Sequence, residues 1–293
     1  MKNFLARLLA AALVSLAAQA QVATMKDDLG RDVPQTGFGK RLVALSPFLT
    51  EAVFAVNAGF ELVGVSERSD YPARARSITV VSGSNGISWE KLAAVRPDMV
   101  FAWKDGIKEG DLERFEKLRI PVFVLAGRRL DDVPRTINAV AFITGRAPPA
   151  GLVAPFEQRI AQLRSENASK PKVPVLLEIQ HRPLMTIGGE HFMNDALGVC
   201  GAENVFAALP GVAPLVPPEA LMAKDPQAIV GAGAPQNEAE FRERWKDYAT
   251  LRAVKANALV YVNGDQFYRP TLRLADGIEQ LCRGLDAVRK ERP

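Results

Sequence analysis

Histidine and cysteine are scarce in this chain, which carries two of each among its 293 residues. His181 and His191 have no nearby cysteines or carboxylates that would complete a tetrahedral zinc centre. We therefore interpret both histidines as surface or hydrogen-bonded residues rather than metal ligands. The sequence also lacks a G-x-S-x-G elbow, a phosphate loop and a complete dinucleotide fingerprint. Because no nucleophile, base and orienting acid can be assembled, we do not expect an enzyme.

Long apolar runs are missing after the first residues, and basic residues are scattered rather than grouped in a stripe with aromatics. Nucleic-acid binding is therefore not expected. At the start, Lys2 and Arg7 accompany an apolar run at 8–18 and a small-x-small site at 18–20. The run is too short to span a bilayer, so residues 1–20 are predicted to be a cleaved signal peptide of an exported, periplasmic protein.

One segment occurs twice. Residues 90–100 (EKLAAVRPDMV) and 219–229 (EALMAKDPQAI) share Glu, Leu, Ala, Pro and an aliphatic residue at the same offsets. Each copy predicts a short helix that begins at an acidic residue, ends before a proline and leads into a buried parallel strand. A unit used twice predicts two similar α/β lobes, and a cleft between lobes is a common place for small molecules to bind.

The chain divides into three parts after the signal. Residues 21–147 begin with a hairpin turn at 27–31 and then alternate strands and helices, which predicts a mostly parallel sheet covered on both faces. Pro148-Pro149 opens a segment, 148–170, whose apolar stripe predicts a helix of about 18 residues connecting the lobes. An ordinary surface helix is the alternative. Residues 171–293 form the second lobe, closed by an amphipathic helix at 271–288.

Cys200 and Cys282 are the two cysteines. In an oxidising compartment a single pair is more commonly a disulfide than a metal site or a nucleophile, so we predict that they are joined. Two buried free thiols are the alternative.

Several stretches together resemble a known family. Residues 45–51 (LSPFLTE), 63–66, 69–72 and 97–103 are similar to the first lobe of periplasmic binding proteins for cobalamin and iron chelates, and 198–206 and 280–282 are similar to the second lobe. The resemblance implies two three-layer α/β lobes bridged by one long helix, a largely preformed cleft and the same disulfide. It also implies a monomer that delivers its ligand to the permease of an ABC importer powered by a cytoplasmic ATPase.

The resemblance gives roles to individual residues. Glu90 and Glu219 match the two acidic residues that pair with permease arginines; the alternative is that each favours the start of its own helix. Arg68 stands where the cobalamin receptor has an aromatic residue, and we expect a more cationic cleft as a result. Trp89 and Trp245 are expected outside the pocket. The residues predicted to contact ligand are Phe48, Arg68, Tyr71, Trp103, Asp265, Phe267, Tyr268 and Arg269.

The ligand implied is cobalamin or a related corrinoid, with no resident cofactor or metal. A haem or ferric-siderophore receptor is the alternative: Arg68 and Arg269 would then meet carboxylates, and Tyr71 or Tyr268 would ligate iron or stack on a ring. From other classes, an exported hydrolase or a sensor domain is conceivable, but the sequence supplies neither a catalytic constellation nor an output domain.

Overall fold

The computed structural model describes residues 22–290, so the predicted signal peptide lies outside the described part of the chain. The strands in this range are β1 (Thr24–Lys26), β2 (Asp32–Pro34), β3 (Leu42–Ala44), β4 (Leu62–Ser66), β5 (Val80–Gly83), β6 (Gly86–Ile87), β7 (Met99–Trp103), β8 (Val122–Leu125), β9 (Val173–Leu177), β10 (Ala202–Asn204), β11 (Ala228–Gly233) and β12 (Leu259–Asn263).

The helices connect these strands and cover both sheets. They are α1 (Pro47–Ala55), α2 (Trp89–Ala94), α3 (Glu109–Lys117), α4 (Asp132–Ile143), α5 (Ala154–Asn167), α6 (Phe192–Val199), α7 (Pro218–Lys224), α8 (Glu238–Trp245), α9 (Arg252–Lys255), α10 (Gly264–Phe267) and α11 (Leu274–Lys290). The last helix begins three residues later than the predicted start at 271, because the short helix α10 and a turn occupy the chain before it.

The first lobe is built on a six-stranded sheet in the order β6-β5-β4-β3-β7-β8. All neighbouring pairs are parallel except β5 with β6. Along β7, Met99 and Phe101 enter a core shared with α1 and α4, whereas Val100 and Ala102 enter a core on the opposite face with α2 and α3. This alternation buries the sheet on both faces and confirms the predicted three-layer lobe.

The second lobe repeats the arrangement with an all-parallel sheet in the order β10-β9-β11-β12. Ala228 and Val230 of β11 enter a core with α5, α6 and α11, and Ile229 enters a core with α7 and α8. Each lobe therefore has its own sheet between two helical layers, as expected for an α/β fold of two lobes.

The repeated segment has the same conformation in both lobes. The helix α2 leads into β7 and the helix α7 leads into β11, as the sequence predicts. Arg96 and Asp225 occupy equivalent positions directly before the prolines, and both adopt a left-handed backbone, with φ of 40° and 36°. This geometry ends each helix, because the following proline disfavours a helical conformation in the residue before it.

The connecting helix α5 has 14 residues, fewer than the 18 predicted, and is roughly 21 Å long at 1.5 Å per residue. It begins only at Ala154, because Gly151 has a left-handed φ of 74° and interrupts the stripe. Leu152, just before the helix, packs on the first-lobe core, while Ile160 and Leu163 lie in the second-lobe core. The segment therefore joins the two cores, which supports the connector over a surface helix.

A disulfide joins Cys200 and Cys282. It ties the end of α6 to α11, and both residues lie in the same second-lobe core. The predicted bond is therefore present, and it is confined to one lobe.

Candidate functional site

A cleft of about 610 Å³ lies between the two lobes. It opens where strands β7, β11 and β12 end, since Trp103, Gly233 and Gly264 line it. Ligands of open α/β sheets characteristically bind beyond the carboxyl ends of the strands. Gly264 lies so close to the neighbouring strand end that a Cβ there would be 2.8 Å from the Cα of Gly233. The pair of glycines therefore lets the two chain segments form the floor of the cleft.

Trp103 is the main aromatic side chain of the first-lobe wall. It is the last residue of β7, and its Nε1 donates a 2.9 Å hydrogen bond to the carbonyl of Ala126. This bond holds the indole in one orientation, and the side chain lines the cleft. Phe48, at the start of α1, also lines the cleft although it is largely buried. At the rim, Arg128 and Asp105 form a salt bridge, with 3.0 Å between Nε and Oδ2.

The second-lobe wall is predominantly apolar. Most of it was not identified from the sequence, because apolar residues in loops and at the start of α6 carry no signal that separates a ligand wall from an ordinary core. The apolar side chains of this wall are Ile179, Ile187, Phe192, Met193, Val212 and Ala213. Pockets for organic ligands typically combine such a surface with a few polar groups.

Behind the cleft, four charged side chains from both lobes form what we term the interlobe clasp: Glu51, Asp70, Arg269 and Arg273. Arg269 contacts Glu51 at 3.1 Å and Asp70 at 2.7 Å, and Arg273 binds both oxygens of Glu51. The Glu51 side chain is only 6% exposed. Because Arg269 is neutralised by first-lobe carboxylates, it adds less positive charge to the cleft than the sequence led us to expect.

The interlobe clasp also shifts the pKa values of Asp70 and Arg269. Burial alone would raise the pKa of Asp70, but the hydrogen bond and the charge of Arg269 hold it below its usual range. Arg269 in turn has a raised pKa, since hydrogen bonds to Asp70 and Glu51 outweigh its desolvation. Asp70 and Arg269 are therefore both charged at neutral pH, and hydrogen bonds between charged groups connect the two lobes.

Two predicted ligand residues lie away from the cleft. Phe267 is 0% exposed and packs in the second-lobe core, because the turn of α10 directs it inward while Asp265, Tyr268 and Arg269 line the cleft. Tyr71 is 47% exposed and lies under the guanidinium of Arg273, 3.9 Å from the ring centroid. It lines a separate pocket beside the clasp.

Tyr268 lines the cleft with its hydroxyl already engaged. The phenol donates a 2.9 Å hydrogen bond to the carbonyl of Ala232, and burial raises the pKa of Tyr268 to about 12. A phenolate at this position is therefore disfavoured, and with it the iron-ligating role considered for Tyr268.

His191 fits the interpretation made from the sequence, and His181 does not. His191 is hydrogen-bonded, since its Nδ1 accepts from the backbone N–H of Met193 at the start of α6, and it lines the cleft. Burial lowers the pKa of His191 to about 4, so the ring is neutral. His181 is neither exposed nor hydrogen-bonded to the described residues; it packs edge-on against Trp245, with 5.1 Å between centroids.

Four residues for which the sequence made a prediction remain: Trp89, Trp245, Glu90 and Glu219. Trp245 is fully buried, as expected, but Trp89 lines a side pocket of the first lobe that adjoins the cleft. Glu90 and Glu219 are exposed on α2 and α7, and neither carboxylate bonds to another of residues 22–290. The two are thus unpaired and lie on different lobes.

Within the described range no group of three His, Cys, Asp or Glu side chains could hold a metal ion. The same residues contain no helix with the length and apolar character of a membrane span. The site is thus a cleft with one apolar wall, one wall that carries a tryptophan and charged groups, and a charged contact behind it. Two lobes with these features define a bilobal ligand-binding protein.

The chain matches the periplasmic binding protein family over residues 42–265 and belongs to it. The vitamin B12-binding protein of Pectobacterium carotovorum subsp. carotovorum is 30% identical over 252 residues, which cover 85% of this chain and 89% of that protein. The vitamin B12-binding protein of Vibrio parahaemolyticus is 28% identical over 255 residues, covering 86% and 92%.

Solved structures show the same architecture. The periplasmic vitamin B12 binding protein BtuF of Vibrio cholerae has a TM-score of 0.78 and 29% identity, with 86% of this chain and 98% of that chain covered. The periplasmic heme-binding protein BhuT, in complex with two hemes, has a TM-score of 0.74 and 21% identity, with 85% and 99% covered. At that identity, the likeness to BhuT concerns the fold.

Proposed function

We propose that this chain captures cobalamin or a related corrinoid in the periplasm and delivers it to the permease of an ABC importer. The observation that carries this proposal is the cleft of about 610 Å³, with an apolar second-lobe wall and Trp103 on the first lobe. A corrin is a broad ring with an apolar face and amide arms, so it needs such a surface together with a few polar groups. The relatives named as vitamin B12-binding proteins support the same ligand class.

The state of the tyrosines favours a corrinoid over an iron chelate. The hydroxyl of Tyr268 donates a hydrogen bond to the carbonyl of Ala232, and the pKa of Tyr268 is raised. Tyr71 lies beside the interlobe clasp, under the guanidinium of Arg273. Neither tyrosine is therefore placed as a ready phenolate in the cleft. A haem or siderophore receptor would have to bind its ligand without the iron ligands that the sequence offered.

The delivery step rests on Glu90 and Glu219. Each is an exposed carboxylate on one copy of the repeated segment, and neither bonds to another residue of the described range 22–290, so the repeat places one acidic side chain on each lobe. Charges at the rim of an interface fix its register and speed encounter without being needed for ligand binding. We assign them to contacts with basic residues of a permease.

The absorption spectrum of protein purified from its native host tests the ligand class. Corrinoids, haem and ferric siderophores have distinguishable bands, and we expect corrinoid bands. A Soret band would move the protein to the haem receptors and contradict the proposal.

A further inference from the structure

Arg68 is the unpaired guanidinium of the cleft. Its side chain makes no hydrogen bond or ion pair with any other residue in the range 22–290, whereas Arg128 is paired with Asp105 and Arg269 with the clasp carboxylates. It is exposed and is the second residue after β4, which ends at Ser66. A cation that the protein leaves without a partner in a ligand cleft is available for an anionic group of the ligand.

The backbone of Arg68 is held from several sides. It has a left-handed φ of 63°, which is uncommon for a residue other than glycine. The hydroxyl of Ser69 lies 3.0 Å from those of Ser66 and Thr50, and all three are buried. Across the lobes, Arg269 donates a 3.1 Å hydrogen bond to the carbonyl of Arg68. An uncommon conformation fixed by its surroundings is a recurring feature of ligand-binding positions.

Arg68 also lies where two cavities meet. The cleft and the first-lobe side pocket, about 580 Å³, are both lined by Ser46, Pro47, Arg68 and Trp103. The carboxylates of the side pocket are occupied by backbone donors, since Glu67 accepts from the N–H of Ser84 and Asp111 from that of Lys108, both at 3.2 Å. The side pocket is therefore a polar extension of the cleft that can take an arm of a ligand whose ring lies against Trp103.

We propose that Arg68 is a specificity residue that pairs with the phosphodiester of a complete corrinoid, whose nucleotide loop extends towards the side pocket. This inference rests on the proposed function and adds which corrinoids are preferred. Most arms of a corrin are neutral amides, and the phosphodiester of the nucleotide loop is the group that carries a negative charge. A guanidinium forms two parallel hydrogen bonds with such an anion, which a neutral side chain cannot do.

The test is a pair of calorimetric titrations, with cyanocobalamin and with dicyanocobinamide, which lacks the nucleotide loop. Arg68→Met should weaken cyanocobalamin binding by about 10- to 100-fold, the usual effect of losing a charged hydrogen bond. The cobinamide affinity should change by less than about twofold. Arg68→Lys should lie between, because it keeps the charge but loses the paired geometry.

Arg119→Met is the matched control. Arg119 is also exposed, has a left-handed φ of 56° and makes no side-chain bond to another described residue, but it precedes β8 and does not line the cleft. It should leave both affinities unchanged. Equal losses for the two corrinoids in Arg68→Met, or none, would overturn the specificity role alone. A wild-type protein that binds neither corrinoid but binds hemin, with a loss in Arg68→Met, would overturn the proposed function and assign Arg68 to carboxylates.

Discussion

The two lobes share the repeated helix-turn-strand segment, yet they line the cleft differently. The first-lobe wall surrounds Trp103 with the charged residues Arg68, Asp105 and Arg128. The second-lobe wall is mostly aliphatic and aromatic, and its charged residues are Asp265 and Arg269 at α10. The acidic residues that the repeat shares lie exposed on α2 and α7, whereas the side chains that face the ligand differ between the lobes. The difference suggests a division of roles, in which one wall supplies broad apolar contact and the other fixes how a polar ligand is oriented.

The shared feature should have the largest effect on transport. Replacing Glu90 and Glu219 by Lys should reduce uptake in cells to near background, because like charges would then face the basic residues assigned to the permease. Replacement of both by Ala should have a smaller effect. Ligand affinity of the purified protein should stay within about twofold, since surface substitutions away from structural features change little. Normal uptake by the double Lys variant would reduce the glutamates to helix-start residues.

The disulfide distinguishes the lobes in stability. Cys200→Ala with Cys282→Ala opens a loop with a sequence separation of 82. The variant should lose about 4–5 kcal/mol of unfolding free energy by the chain-entropy estimate. Denaturant unfolding measures the loss, and hydrogen exchange should place it in the second lobe. Reduced wild type is the control and should behave alike. Equal loss of protection in both lobes would mean that they unfold as one unit.

Substitutions in the interlobe clasp test how much the contact between the lobes contributes to stability. Glu51→Gln removes a negative charge that Arg269 and Arg273 share at a buried site. It should lower the free energy of unfolding by about 3 kcal/mol. Asp265→Asn is the matched control, because that carboxylate is 64% exposed and lies 3.4 Å from Arg269. Asp265→Asn should lower the free energy of unfolding by less than about 1 kcal/mol. Equal values in denaturant unfolding would show that the buried position of Glu51 has no special role.

The smallest expected effect, taken per pH unit, is that of the His191 titration on stability. His191 is neutral in the folded cleft, with a pKa of about 4, and regains its ordinary value when the chain unfolds. The unfolded chain therefore binds more protons below pH ~6.5, and stability falls as the pH drops from there towards ~4. His191→Asn keeps an acceptor for the start of α6 and removes this titration. As the pH drops, the unfolding free energy of the variant should fall less steeply than that of the wild type. The two slopes should differ by at most about 1.4 kcal/mol per pH unit.

His181 contributes the same trend in both proteins, since burial also lowers its pKa. The comparison with His191→Asn therefore isolates one residue. Identical slopes for the variant and the wild type would show that His191 is exposed to solvent in the folded protein.

The fold was largely predictable, because its signals are local. The repeat is detectable from identical residues at equal offsets, and each copy forms the predicted short helix followed by a buried strand. The cleft was less predictable. Asp265, Tyr268 and Arg269 share one face of the turn at α10 and Phe267 takes the other, but a helix of four residues is too short to show a periodicity.

Contacts between the lobes were the hardest to predict. The clasp joins Glu51 to Arg269 and Arg273, more than 200 residues along the chain. Nothing near Glu51 in sequence distinguishes it from other helix residues. Its burial depends on how two separately folded lobes meet, which local patterns do not encode.

The most direct test of the central claim is calorimetry of the mature protein with cyanocobalamin and, in parallel, with hemin. We expect one corrinoid per chain, with a dissociation constant below about 1 μM, corresponding to roughly −8 kcal/mol. Trp103→Ala should weaken it by about 30-fold, the loss expected for a central aromatic contact. Tight binding of hemin without measurable binding of cyanocobalamin would contradict the corrinoid assignment.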